Sequence, residues 1–165
     1  MKLYHGGMIA IEKPALKTPY ARNHTSDFGD GFYTTTDLEQ AIRWTQIRQI
    51  YYSSGNGIVS IYEIDDNLFH DPKLNCLIFK KADKKWLEFV MKNRQNKNYK
   101  HDYDIVAGPI ANDRVYATLT LFENNFLNAV ETIQRLKTFK FANQILFHTE
   151  LSLQKLSYIG NEIVK

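Results

Sequence analysis

Apolar and polar positions along this chain fall into short stretches of two periods, and each stretch predicts an element. Ile58–Ile64 alternates strongly and is rich in β-branched residues, the pattern of a strand. Residues 2–5, Gly31–Thr34, Tyr103–Ala107 and Ile145–Phe147 read as shorter strands, the third ending at Gly108-Pro109. Leu38, Ala41, Ile42 and Thr45 recur at helical spacing behind Thr36-Asp37-Leu38-Glu39, a capping-box pattern, and predict a helix reaching Tyr51. Asp83 is placed to cap a helix carrying Trp86, Leu87, Val90 and Met91. Asn125 is placed to open another, with Phe126, Ala129 or Val130, Ile133 and Leu136 inside. Thr149 caps a last helix with Leu153 and Leu156 inward, and Val115–Leu121 fits helix and strand alike. Residues 8–30 are irregular and punctuated by Pro14 and Pro19, and Ser53–Gly57 is a loop. Strands and helices mix without a regular βαβ alternation, which predicts an α+β fold.

Length and composition narrow the class. The chain has 165 residues, 44% of them hydrophobic, with mixed charge, so one domain over 1–165 is expected and disorder is not. Its ten Phe, ten Tyr and two Trp imply core packing before they imply a ligand. Cys76 is the single cysteine, which excludes an internal disulfide and fits a reducing compartment. In the run Leu74–Phe79 it reads as a buried, inert thiol. No apolar segment follows Lys2 and no window has the ~18 apolar residues of a spanning helix, so a cytoplasmic protein without signal peptide or membrane anchor is expected. A formal net charge of +3 does not by itself imply nucleic acid. Lys80-Lys81, Lys84-Lys85 and the stretch Lys92 to Lys100, with Tyr99 and its asparagines, read as the solvated side of a helix and its loop. The alternative is a contact with nucleic-acid phosphates and bases.

Two segments carry candidate chemistry: Tyr4-His5-Gly6, and Asp27-Phe28-Gly29-Asp30-Gly31-Phe32-Tyr33-Thr34-Thr35. Glycines two apart allow positive φ and close approach of a ligand to the backbone, just ahead of an aromatic pair entering a strand. Taken singly, His5 is a polar strand end, and Tyr33 and Trp44 are core aromatics. Taken together, the two segments resemble the ADP-ribosyltransferase superfamily, in the histidine-tyrosine class that includes diphtheria-like toxins and poly-ADP-ribose polymerases. The resemblance implies two small antiparallel sheets packed face to face, with NAD in the cleft between them. It implies that His5 bonds a ribose hydroxyl of the adenosine half and that Gly6 fixes the nicotinamide carboxamide through its main chain. It implies that Tyr33 stacks on nicotinamide and that Trp44, eleven residues downstream, closes the clamp. A cationic ring between aromatic faces gains roughly 0.5–2 kcal/mol per face when desolvated. Gly31 and Thr34 complete the turn around Tyr33, and Arg22 stands in the loop that reaches the pyrophosphate in relatives.

The third element departs from the superfamily pattern. A glutamate is expected at the start of a late strand; Asn143-Gln144-Ile145-Leu146-Phe147-His148 fits that register with Gln144 in its place. Glu150 lies six positions on, roughly 20 Å along an extended strand, and suits the first turn of the next helix. An amide can orient a ribose hydroxyl but supplies no negative charge and takes no proton. Single transfer of ADP-ribose to an acceptor already nucleophilic is therefore expected rather than polymer synthesis. Tyr103-Asp104-Ile105-Val106-Ala107-Gly108-Pro109-Ile110-Ala111-Asn112-Asp113 is similar to the signature of a bacterial, toxin-like branch of the superfamily, whose members are often encoded beside a small antitoxin-like partner. Asp104 and Asp113 there either cap the Gly-Pro turn, or orient the acceptor or serve as the missing base. His101, Asp102 and Asp104 lack a metal-ligand spacing, and no metal is expected. NAD is thus the expected co-substrate, with a protein or nucleic-acid acceptor. NAD hydrolysis on the same site, or nucleotide or partner binding without turnover, are the alternatives.

Overall fold

The computed structural model describes residues 1–16, 26–52, 55–96, 98–109, 113–137 and 143–164. In chain order the elements are β1 (Lys2–Gly7), β2 (Phe32–Thr35), α1 (Leu38–Tyr52), β3 (Gly57–Glu63), a 3-10 turn at Leu68–His70, β4 (Cys76–Ile78), α2 (Lys84–Gln95), β5 (Ile105–Pro109), α3 (Asp113–Glu123), α4 (Ala129–Leu136), β6 (Asn143–Phe147), α5 (Glu150–Leu153) and β7 (Ser157–Val164). The class is α+β. The seven strands are hydrogen-bonded in the order β4-β5-β6-β2-β1-β3-β7, with β4 and β5 parallel and the other neighbours antiparallel.

Two separate sheets were expected; the strands instead form one mixed sheet. The joint at its centre is narrow. β1 pairs with β3 from Lys2 to Gly7, and β2 pairs with β6 from Phe32 to Thr35, but β1 meets β2 at one residue pair, Tyr4↔Thr35. Beyond that pair the two central strands part, and the sheet is forked.

Strand alternation divides the core between the two faces. Val106 and Leu146 join Phe28, Trp86, Val90, Val115, Leu119 and Leu136 under α2–α4. Their neighbours Ile105, Ile145 and Phe147 pack on the opposite face with Leu3, Phe32, Tyr62 and Leu153. Each such large side chain contributes about 1.5–3 kcal/mol through burial. Burial on both faces is why β5 and β6 read as unbroken apolar runs. α1 lies on β1 and β3 through the buried Ala41 and Thr45, and it can sit this close because Gly6 and Gly57 carry no Cβ. A Cβ at Gly6 would run into the Ala41 carbonyl.

Several element boundaries differ from the sequence reading, for physical reasons. α1 is capped by Asp37, whose Oδ1 accepts from Gln40 N at 3.2 Å, one residue later than the Thr36 box suggested. The segment Val115–Leu121 is helical within α3. α4 starts at Ala129 behind the capping box of Asn128 and Glu131, not at Asn125, whose left-handed φ of 60° belongs to the preceding loop. Phe126 and Val130 are consequently exposed, and α4 buries Thr132 and Leu136. Leu156 falls past the end of α5. β7 was not foreseen, because Gly160-Asn161 reads as a turn; Gly160 takes φ 147° beside a register shift at Ile61/Tyr62 and stays within the ladder. Cys76, expected buried, is half-buried on β4, and burial raises its thiol pKa. Among the described residues no helix is long and apolar enough to cross a membrane.

Candidate functional site

At the fork, Gly6, Tyr33 and Gln144 share one sheet face, while His5 stands with Leu3 and Phe32 on the other. His5 spans the fork: its Nδ1 donates to the Tyr33 carbonyl at 2.7 Å, linking β1 to β2 where their backbone ladder has stopped. The imidazole stacks on Phe32, with centroids 4.5 Å apart and planes 24° off parallel. Since a carbonyl only accepts, Nδ1 carries the proton and Nε2 keeps its lone pair. Burial drives the His5 pKa down to about 4, against the raising effect of the Tyr33 carbonyl, and the Arg48 guanidinium adds to the fall. At neutral pH His5 is therefore an uncharged acceptor. Its Nε2 lies beside Gly7, where an added Cβ would stand 3.7 Å from Nε2 and 3.8 Å from Arg48 Nη1.

Tyr33 is fixed by the turn that precedes it. Gly29 and Gly31 take φ of 95° and 146°, a conformation costly for other residues. A Cβ at Gly31 would stand 2.6 Å from Leu146 Cδ1. The Tyr33 hydroxyl donates to Gly29 O at 2.6 Å and accepts from Phe28 N at 3.1 Å, closing the turn on itself. Burial first, then the nearby Asp27 carboxylate, raises the phenol pKa. The hydroxyl is thus a structural tie, and the ring is what Tyr33 can offer a ligand.

The same turn is braced from outside by residues the sequence reading did not assign to the site. Arg94 pairs with Asp27 at 3.3 Å and with Glu123 at 2.7 Å, and lies 4.5 Å over the Tyr116 ring. His101 Nε2 donates to Phe28 O at 2.8 Å, and His148 Nδ1 donates to Asp30 O at 2.5 Å. The two imidazoles sit 4.4 Å apart between centroids. No spacing in the sequence links positions 101 and 148 to this turn, because the contacts arise only when β5 and β6 pair.

Gln144 stands on the same face of the sheet as Tyr33, beside Thr35 on one neighbouring strand and Gly108 on the other. It is 4% exposed, and its Nε2 has no hydrogen-bond partner among the described residues. Trp44 is half-buried on α1. The inward positions of α1 are Ala41 and Thr45, and Gln49 reaches Gly55 O and Val164 O on the β7 side. At about 100° per residue, Trp44 falls on the opposite flank, toward β2. Gly6 lies under α1 on that same face. The side chain of Thr34 is not brought to this group: it points to the other face and donates to Ile145 O at 3.1 Å. Arg22 lies outside the described residues, as does the side chain of Asp113.

The remaining carboxylates considered from the sequence are elsewhere. Glu150 is exposed in the first turn of α5, past the end of β6. Asp104 accepts from Thr149 Oγ1 at 2.6 Å and from Asn75 N at 2.8 Å. It ties the start of α5 to the strand loops, the structural one of its two readings. His101 bonds backbone at both ring nitrogens, with Nδ1 accepting from Tyr103 N at 3.3 Å.

Fold and site together define a small α+β domain whose central sheet opens into a fork bridged by a neutral histidine, with Tyr33 and a buried Gln144 amide that has no partner among the described residues on one sheet face and the His5–Phe32 stack on the other. The family model described as "Protein of unknown function (DUF3990)" matches residues 1–158, and the chain belongs to that family. No curated protein matches it.

Proposed function

We propose that this domain is a mono-ADP-ribosyltransferase that takes NAD in the β1–β2 fork, acting as a bacterial cytoplasmic toxin or effector. The observation that carries the reading is Gln144. A buried amide nitrogen without a partner costs about 1–3 kcal/mol, so it is paired by a water or a ligand group, and a ribose hydroxyl is the acceptor this reading supplies. The amide lies on the sheet face shared by Tyr33 and Gly6. The neutral His5 Nε2 suits a ribose hydroxyl as acceptor. The Tyr33 ring, held by its own hydroxyl, and Trp44 suit the two sides of a flat cationic ring. Arg48, beside Gly7, suits the pyrophosphate.

In the proposed reaction the bond from ribose C1′ to the nicotinamide nitrogen breaks and nicotinamide leaves with the electron pair. The acceptor atom bonds C1′ and loses its proton to solvent. Gln144 orients the ribose, while none of His5, Tyr33 and Gln144 is a carboxylate able to take that proton. This favours an acceptor that is already a nucleophile. The same observation supports a second reading, a nucleotide-binding module without turnover. Incubation with labelled NAD and a bacterial lysate, followed by separate protease and nuclease digestion, tests the proposal. Label in a macromolecule, with nicotinamide release that depends on lysate, is expected. Release without lysate favours NAD hydrolysis, and binding without release favours the module.

A further inference from the structure

The strongest concentration of charge lies outside the fork. Residues 80–100 hold eight of the 21 Lys and Arg residues but two of the 18 Asp and Glu. The rest of the chain is net acidic, with 13 basic residues against 16 acidic. α2 presents this charge on one side. Its residues Trp86, Leu87, Phe89, Val90, Met91 and Asn93 are buried, while Lys84, Lys85, Glu88 and Lys92 are exposed. At about 100° per residue, these four positions fall within roughly a third of the helix circumference. Lys80 and Lys81 are exposed just ahead of it. Glu88 pairs with Lys84 at 3.8 Å between exposed side chains, a contact that contributes little and yields readily to a competing anion. Arg94 takes no part, being turned inward to Asp27 and Glu123.

We propose that this face of α2 is a docking surface for the phosphate backbone of a nucleic-acid strand. A polyanion needs spaced cations and no apolar centre. A protein partner needs a desolvated apolar core, and no exposed large apolar side chain is described on α2. Lysine ammonium groups act as point charges on mobile stems, suited to a backbone read without sequence. Trp86 Nε1 donates to Pro109 O at 3.2 Å, and Arg94 holds Asp27 at the start of the glycine turn. Both contacts come from the inward side of α2, so they fix the helix against β5 and the glycine turn while the lysines face away from it. Docking stands without the NAD reading.

Fluorescence anisotropy of the full chain with labelled single-stranded RNA and DNA oligonucleotides tests the surface. Three phosphate contacts predict roughly twenty-fold weaker binding between 50 and 200 mM salt. The triple variant Lys84→Glu, Lys85→Glu, Lys92→Glu is expected to bind at least tenfold more weakly, with its thermal midpoint and its NAD titration unchanged. A second triple variant to Gln separates loss of charge from repulsion and is expected to fall between the two. Wild-type binding that ignores salt, a charge-reversed variant that binds like wild type, or polyglutamate displacing the oligonucleotide as well as unlabelled RNA does would each overturn the proposal. Lysine-dependent RNA binding by a protein that takes up no NAD would keep the docking surface and remove the NAD reading.

Discussion

Gln144 is the residue on which structure and chemistry bear most directly. If its unpartnered Nε2 awaits a ligand, replacement by a similar apolar side chain removes a cost from the free protein and a contact from the complex. Gln144→Met is expected to stabilise the chain by about 1 kcal/mol in urea unfolding and to weaken NAD binding about tenfold. A destabilised variant would show that the amide is bonded in the free protein after all. His5 gives a second test, through pH. The folded chain keeps His5 neutral down to about pH 4, whereas an unfolded histidine takes its proton near 6.5. Between those values the unfolded state binds the extra proton, so stability falls as pH drops and the loss is complete below pH 4. At about 1.4 kcal/mol per pKa unit this amounts to roughly 3 kcal/mol at most. His101, also held low by burial, acts in the same direction. Urea unfolding at pH 4.5 and 7.5 should show the drop, and His5→Gln should reduce it. Equal stability of wild type at both values contradicts the neutral, buried state. The position of Gln144 followed from the register of Asn143–His148. That its nitrogen is orphaned, and that the Tyr33 hydroxyl is tied into its own turn, was not legible, since both depend on neighbours from distant strands.

Elements were legible where a local signal sufficed and illegible where tertiary pairing decided. Asp83 caps α2 as its spacing indicated, with Oδ1 accepting from Trp86 N at 3.1 Å, because a cap involves only neighbouring residues. β7 and the start of α4 escaped because a glycine inside an edge strand and an asparagine before a helix carry the same letters as a turn. The glycine turn itself was legible; its brace was not. Arg94, on α2, holds Asp27 in a buried pair, and removing one partner of such a pair costs about 3–5 kcal/mol. Arg94→Leu is expected to lose about that much in chemical unfolding and to weaken NAD binding through a loosened turn. A change below about 1 kcal/mol would assign the turn's rigidity to His101 and His148 instead.

For the molecule as a whole, the apolar pattern predicted an α+β fold but could not say how the strands join. Strand periodicity reports which face is buried, and it is silent on how many residue pairs connect two neighbours. The sheet therefore emerged as one forked unit instead of two packed sheets. Its halves, β4-β5-β6-β2 and β1-β3-β7, meet at Tyr4↔Thr35 and across the fork through His5. A ligand seated there links both halves, so hydrogen exchange should slow at Gly6 and Tyr33 when NAD is added and remain unchanged in β7. Calorimetric titration of the full chain with NAD tests the central claim most directly. The account predicts one saturable site per chain, weakened about tenfold by Gln144→Met and by Tyr33→Ala in proteins that remain folded. A wild-type chain that shows no saturable binding, or variants that bind as wild type does, would contradict it.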